Sequence, residues 1–329
     1  MMVAVVINTI VSSIYAISVM MNESFAETIF FGKIIGEIPI VLDSLSAWFI
    51  LVMNFTVLTG IWYGKEYLSN YQNHVQQKNL HYISYMLNHL SMIGIYVINN
   101  GFAFLIFWEI MALSSFILII FESSKMNVIR SGINFLIQSH ISLLFLIIAF
   151  VWVYSVTGSF DFQSIHLFSL IEGPANSFML FLLFFAGFAI KAGFIPFHTW
   201  LPHAHPVAPS HISGTMSGVI IKLGIYGILR IILLIEADFY HIGIFILIIS
   251  IITGIYGVML AILQHNLKRL LAYHSVENIG IIGIGIGIGC IGKGIANEFM
   301  IFAGFSGAIL HTLNHSLFKS LLFYTAGSV

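Results

Sequence analysis

Ten apolar stretches, each about as long as a bilayer core is thick, take up most of this chain. They cover residues 2–21, 42–63, 81–98, 101–121, 130–154, 177–199, 207–234, 240–263, 272–292 and 298–327. In lipid every backbone N–H and C=O must be paired within the protein, so runs of roughly 20 apolar residues cross a ~30 Å core as helices. With hydrophobic residues at 59% and charged residues at 8%, the expected fold is an all-α polytopic membrane protein of about ten transmembrane helices. The stretches between the runs are too short to hold a soluble catalytic domain. No basic segment precedes the first run, which therefore reads as a retained helix, not a cleaved signal peptide. The net charge of −1 offers no basic surface to nucleic acid. Cys290 is alone and lies in an apolar run, which excludes a disulfide and a thiolate-ligated cluster. No cofactor and no metal are expected.

Against this background, charged residues inside the runs stand out. Glu109 falls within Gly101–Phe121, Lys191 within Phe178–Trp200 and Lys222 within Ile212–Leu234, while Phe299–Ala326 holds His311, His315 and Lys319. An ionisable side chain at bilayer depth is costly and faces a protein or water interior, so the default reading is an ion or proton pathway. His311, His315 and Lys319 are spaced by four. They should line one helix face over ~12 Å, with Asn314 beside it. Neutral imidazole both accepts and donates, which suits a relay. Haem ligation would need ligands on facing helices. Gln138 and His140 form a weaker candidate, read equally well as a satisfied buried polar pair.

Loop charges set an orientation. Lys65 and Lys78 (64–80), Lys125 and Arg130 (122–130), and Lys268 and Arg269 (264–271) mark one side. The alternate loops carry Glu23, Glu27 and Glu37 against Lys33, then Asp161 and Glu172, then Glu236 and Asp238. By the positive-inside rule the N-terminus is expected in the cytoplasm, with Lys293 as a weak exception.

Between the sixth and seventh runs lies IPFHTWLPHAHPVAPSH, which holds Pro196, Pro202, Pro206 and Pro209. Proline removes a helical donor and clashes with the preceding turn, so a broken helix is expected here. Such breaks recur at ion sites in transporters. The same stretch holds His198, His203, His205 and His211. No acid or cysteine accompanies them, and the prolines scatter their directions. Water-lined proton access or interfacial packing is therefore favoured over metal binding. The run IGIIGIGIGIGCIGKG superficially fits a dinucleotide fingerprint, but it sits inside an apolar span. Small residues there permit close helix packing.

The segments FWEIMALSSFILIIFE, KAGFIPFHTWLPHAHPVAPSHISGTMSGVIIKLGIYGILR, LKRLLAYHSVENIG and HTLNHSLFKSLLFYTAGSV resemble the antiporter-like proton-translocating membrane subunits. These occur in complex I, cation/proton antiporters and membrane-bound [NiFe] hydrogenases, and PHAHPVAPSH and AYHSVENIG are most similar to the hydrogenase-4 / formate hydrogenlyase branch. The resemblance implies that Glu109 is the family's intramembrane glutamate and Lys191 the lysine before the break. Lys222 would be the central lysine, and His311, His315 and Lys319 the polar helix continuing the axis. It also implies inverted five-helix repeats: N-terminal helices over 1–80, a first repeat over 81–234, and a second over 240–329 that is incomplete. Family members carry a further broken helix beyond the position matching Val329, so a split, partial or degenerate chain is expected.

A carboxylate near a buried lysine favours its charged form, so a Glu109/Lys191 pair would act as a loadable switch or as a plain fastener between helices. The implied function is proton translocation within a redox-driven complex, with no redox site in this chain. The alternatives are a cation/proton antiporter subunit and a truncated, non-conducting scaffold. The implied partners are other membrane subunits of a hydrogenase or complex I-like assembly, a chain supplying the remaining C-terminal helices, and the lipid bilayer of the inner membrane.

Overall fold

The computed structural model describes residues 2–21, 25–30, 37–71 and 75–328, so Glu23 and Lys33 lie outside the described residues. In chain order the elements are α1 (Met2–Met21), β1 (Phe25–Phe30), β2 (Glu37–Leu42), α2 (Ser44–Tyr67), α3 (Val75–Val97), α4 (Gly101–Ile119) and α5 (Met126–Thr157). There follow α6 (Gln163–Ala192), the short α7 (Leu201–Val207), α8 (Ser210–Leu234), α9 (Phe239–Ile262), α10 (Leu267–Gly294) and α11 (Glu298–Ala326). Eight of these segments are long and apolar enough to cross a membrane. Helices α3 and α11 are long but too polar for that class. One carries His81, Asn88 and His89, the other His311, His315 and Lys319. The fold is all-α and polytopic.

Two departures concern segments read as loops. Residues 25–30 and 37–42 pair as two antiparallel strands, with Phe25 opposite Leu42 and Phe30 opposite Glu37. The strands are rich in β-branched residues, and the Asn99 N–H docks them by donating to the Pro39 carbonyl at 2.9 Å. Within 155–176, residues from Gln163 are helical up to a kink at Gly173, whose φ of 78° only glycine adopts freely. Ser164, Ile165, Phe168 and Ser169 are buried at helical spacing while Leu167, Leu170 and Ile171 are exposed, so this piece has two distinct faces.

Helix α8 is the central post, with nearly every side chain buried. It reaches α6 through glycine: a Cβ at Gly224 would stand 2.4 Å from the Phe188 carbonyl oxygen. The same device joins α9, α10 and α11. A Cβ at Gly280 would lie 2.4 Å from the Gly254 nitrogen, and one at Gly304 the same distance from the Gly289 nitrogen. The glycine run of α10 is thus a packing seam. At the rim, α1 is tied in by polar contacts. His89 meets Asn54 Oδ1 at 3.0 Å and Asn8 Nδ2 at 3.2 Å, and Asn54 donates to Ser12 and Ser13 at 2.8 Å.

Loop contacts sort into two ends of the bundle. At one, Tyr71 donates to Glu122 at 2.5 Å and Lys268 to the Ala208 carbonyl at 3.1 Å. At the other, Gly101 N–H meets the Phe160 carbonyl at 2.7 Å, and Arg230 grips Asp43 through both carboxylate oxygens, at 2.5 and 2.8 Å.

Candidate functional site

The break expected after the sixth span is present. Helix α6 stops at Ala192, Gly193 turns left-handed at φ 88°, and a 3-10 turn over Phe197–Trp200 leads into α7. Trp200 Nε1 donates to the Ile190 carbonyl at 2.8 Å, folding the break back against the last turn of α6. That turn carries Lys191, which is fully enclosed. Its Nζ donates to Ser139 Oγ of α5 at 3.2 Å and sits 4.5 Å from the centre of the Phe135 ring.

The Glu109/Lys191 pair is looser than a direct fastener. Among the described residues no carboxylate comes within ion-pair distance of Lys191, although the charge of Glu109 acts on it. The contact Glu109 makes is with His140 Nε2, at 3.0 Å, and its second oxygen is buried with no partner among the described residues. This corrects the reading of Gln138 and His140 as a buried pair. Two residues apart on a helix they point in divergent directions: His140 faces Glu109 and is half-exposed, and Gln138 donates to Thr199 at 2.7 Å.

Lys222 stands at the centre. A π-helical turn over Met216–Ile220 precedes it, in which the Ile221 N–H reaches five residues back to the Met216 carbonyl. Lys222 Nζ contacts the Ser217 carbonyl and lies 2.8 Å from His315 Nδ1 on α11. His315 Nε2 is buried without a protein partner among the described residues, and its ring stacks on His311, centroids 6.4 Å apart and planes within 1°. His311 Nε2 meets Asn278 Oδ1 of α10 at 2.9 Å, and Lys319 Nζ donates to the Leu271 carbonyl at 2.9 Å. The three-residue stripe is therefore a real face, turned onto α8 and α10. Asn314 is not part of it; it is exposed.

The four histidines of the break do not converge. His198 lies beside Tyr256 and Tyr273, and His205 stacks on Phe323 at 4.6 Å. His211 Nε2 meets His81 Nε2 at 2.8 Å, a buried pair whose second member was not foreseen because His81 opens the expected span 81–98. His203 lines a cavity of about 640 Å³ with Arg130, Asn134, Thr199 and Arg269. Pro202 sits in the first turn of α7, where the missing N–H costs nothing, and Pro196 precedes the 3-10 turn. Among the described residues no three His, Cys, Asp or Glu side chains gather to hold a metal ion. Two further groups went unnoticed in the sequence: His274 and Glu277 of α10, joined Nδ1 to Oε2 at 2.5 Å.

Residues 99–329 match the transmembrane family described as NADH:quinone oxidoreductase/Mrp antiporter. The chain belongs to that family. Within the NADH:quinone oxidoreductase/Mrp antiporter family it is 37% identical to hydrogenase-4 component B of Escherichia coli (strain K12) over 299 residues, 89% of this chain and 44% of that protein. It is 28% identical to NADH-quinone oxidoreductase subunit M of Rickettsia bellii (strain RML369-C), across 90% of this chain and 57% of the relative. Its fold matches a chain of the Mrp complex from Dietzia sp. DQ12-45-1b with a TM-score of 0.82 at 21% identity, covering 98% of this chain and 57% of that one. The chain thus spans about half the length of the curated relatives it matches.

Proposed function

We propose that this chain is a proton-conducting membrane subunit of a redox-driven complex of the hydrogenase or complex I kind. Protons would move along Glu109, Lys191, Lys222, His315, His311 and Lys319, and electrons would pass through partner subunits. The observation that carries the reading is the 2.8 Å contact between Lys222 Nζ and His315 Nδ1, with no carboxylate at ion-pair distance among the described residues. An ammonium donates its proton to the bare imidazole nitrogen, or an imidazolium returns it to the amine. One proton has two nearly adjacent seats, and the heavy atoms stay in place. Access to Lys191 would come from the cavity beside His203, which Asn134 and Thr199 line; Gln138 donates to both, and the next residue, Ser139, accepts from Lys191.

In this reading 81–234 and 240–329 belong to successive inverted repeats, other chains or segments complete the second, the N-terminus is cytoplasmic and the membrane is the inner one. The test is proton translocation by the assembled complex in proteoliposomes. Lys222→Met keeps volume and removes charge, and should reduce translocation to background while assembly persists. Lys191→Ala should do the same and Glu109→Gln should impair it strongly. Translocation at the normal rate by the Lys222→Met complex would overturn the proposal, and strict dependence on Na⁺ in place of a redox donor would favour the antiporter reading.

A further inference from the structure

The cavity of about 640 Å³ beside His203 lies where the first turns of α5 and α10 meet the helix break, at the end of the bundle that carries the basic loops. Its walls hold Arg130, Arg269 and His203 together with Asn127, Ser131 and Asn134, and no carboxylate lines it. Glu122, which lines the adjoining cavity, already accepts from Tyr71 at 2.5 Å and pairs with Lys125. Among the described residues the side chains of Arg130, Asn127 and Ser131 make no hydrogen bond or ion pair. Arg269 is held over the break by its Nε, which donates to the Pro202 carbonyl at 3.3 Å, and its two terminal amino groups stay unbonded within the described residues. The first turn of α5, which no side chain caps, forms part of the wall and adds the positive end of a helix. The result is a set of cationic and neutral donors around one space, with no acceptor charge among them. Guanidinium forks match the paired oxygens of a phosphate in geometry as well as in charge.

What lies beyond the cavity separates a lipid headgroup from a free phosphate. From Arg130 the same face of α5 continues through Ile133, Ile137 and Ile141, all of them exposed. Ile141 is ~16 Å along the helix from Arg130, close to the ~15 Å depth of one leaflet of the hydrocarbon core. A phosphate seated between the two guanidiniums therefore has an apolar track of leaflet length running away from it. We propose that this cavity binds the phosphate headgroup of an anionic phospholipid from the leaflet on the side of the basic loops, with an acyl chain laid along Ile133, Ile137 and Ile141. Arg130 and Arg269 grip the phosphate from opposite walls, and Asn127, Ser131 and His203 supply further donors to the phosphate and glycerol oxygens. The inference goes beyond the proton-conducting reading and does not depend on it. Where protons enter beside His203, the headgroup stands at that entrance.

The experiment places the assembled complex in phosphatidylcholine vesicles that carry a trace of phosphatidylglycerol with a diazirine on its acyl chain. After irradiation, peptide mass spectrometry should find the adduct on the α5 stripe from Ile133 to Ile141, and a phosphatidylcholine probe of the same chain should give much less. The phosphatidylglycerol adduct should fall about fivefold for each of Arg130→Gln and Arg269→Gln. The first of these removes no bond within the described residues, so it tests the site without disturbing the fold. Lys65→Gln, at an exposed lysine in another basic loop and outside the cavity, should label as wild type does. Because the bound phosphate joins α5, the break and α10, phosphatidylglycerol should also raise the melting temperature of the wild-type complex, and that rise should shrink in Arg130→Gln. Wild-type labelling of the α5 stripe in the Arg130→Gln/Arg269→Gln double variant would overturn the proposal. An equal loss in Lys65→Gln would do so too, by showing diffuse attraction of the basic loops to an anionic surface. Inorganic phosphate that abolishes labelling where chloride at the same ionic strength does not would mark a site for a free oxyanion and overturn the lipid assignment.

Discussion

At the scale of single residues, some polar groups hold the bundle closed. Asp43 is one of them. It caps α2 by accepting from the Ser46 N–H at 2.9 Å and is clasped by Arg230 from α8. Partial burial alone would raise its carboxyl, but the hydrogen bond and charge of Arg230, helped by the Ser46 amide, hold it below the usual carboxylate range. The folded value is depressed, so the stabilisation is present above the unfolded value of about 3.9 and is lost as pH falls through the folded one. Asp43→Asn keeps a capping oxygen and loses the charge, which should cost about 1.5–3 kcal/mol at neutral pH. Thermal unfolding of the detergent-purified complex would show the gap to wild type closing below about pH 4. Lys191, Lys222, Lys319, His311 and His315 were legible as candidates because a polar or charged group within an apolar run is costly to insert and stands out from every neighbour. His274 and Glu277 were not, although they are three residues apart on one helix. Their contact depends on the rotamers that bring Nδ1 to Oε2, which spacing alone does not specify.

At the scale of elements, glycine decides where helices touch. The α9–α10 seam requires Gly280, whose missing side chain leaves room for the Gly254 backbone. Gly280→Leu must push two backbones apart, and overpacking of this kind costs about 1–3 kcal/mol or more. Gly307→Leu is the control, because nothing lies within 4 Å of a Cβ there. A melting temperature lowered by the first and unmoved by the second, read by scanning fluorimetry, is the expected outcome; equal effects would show that the seam is not tight. The helix break was readable from its four prolines, since each removes a donor whatever the surroundings. The strand pair 25–30 and 37–42 was not. Its strands pair with each other and with residue 98 of a distant segment, and such pairing leaves no periodic trace beyond six residues of chain.

At the scale of the whole molecule, the sorting of loops into two ends is independent of their charges, yet it agrees with them. Tyr71, Glu122, Ala208 and Lys268 meet at the end that carries the basic loops, and Pro39, Asp43, Phe160 and Arg230 at the other. The native cysteine, Cys290, is buried, so single cysteines added at exposed positions report cleanly. In intact cells a membrane-impermeant maleimide should label Ala175→Cys and leave Ser69→Cys unmodified. Labelling of Ser69→Cys alone would invert the orientation. The π turn of α8 bears on how such whole chains are compared. It is one residue of surplus chain inside a regular helix, so a relative lacking that residue would align correctly on one side of Met216–Ile220 and run a step out of phase on the other. One step is ~100° of rotation, enough to aim a lysine at lipid in place of His315. Through this helix, equivalence between chains has to be judged by where a side chain points, because counting letters from a shared motif names the neighbouring residue.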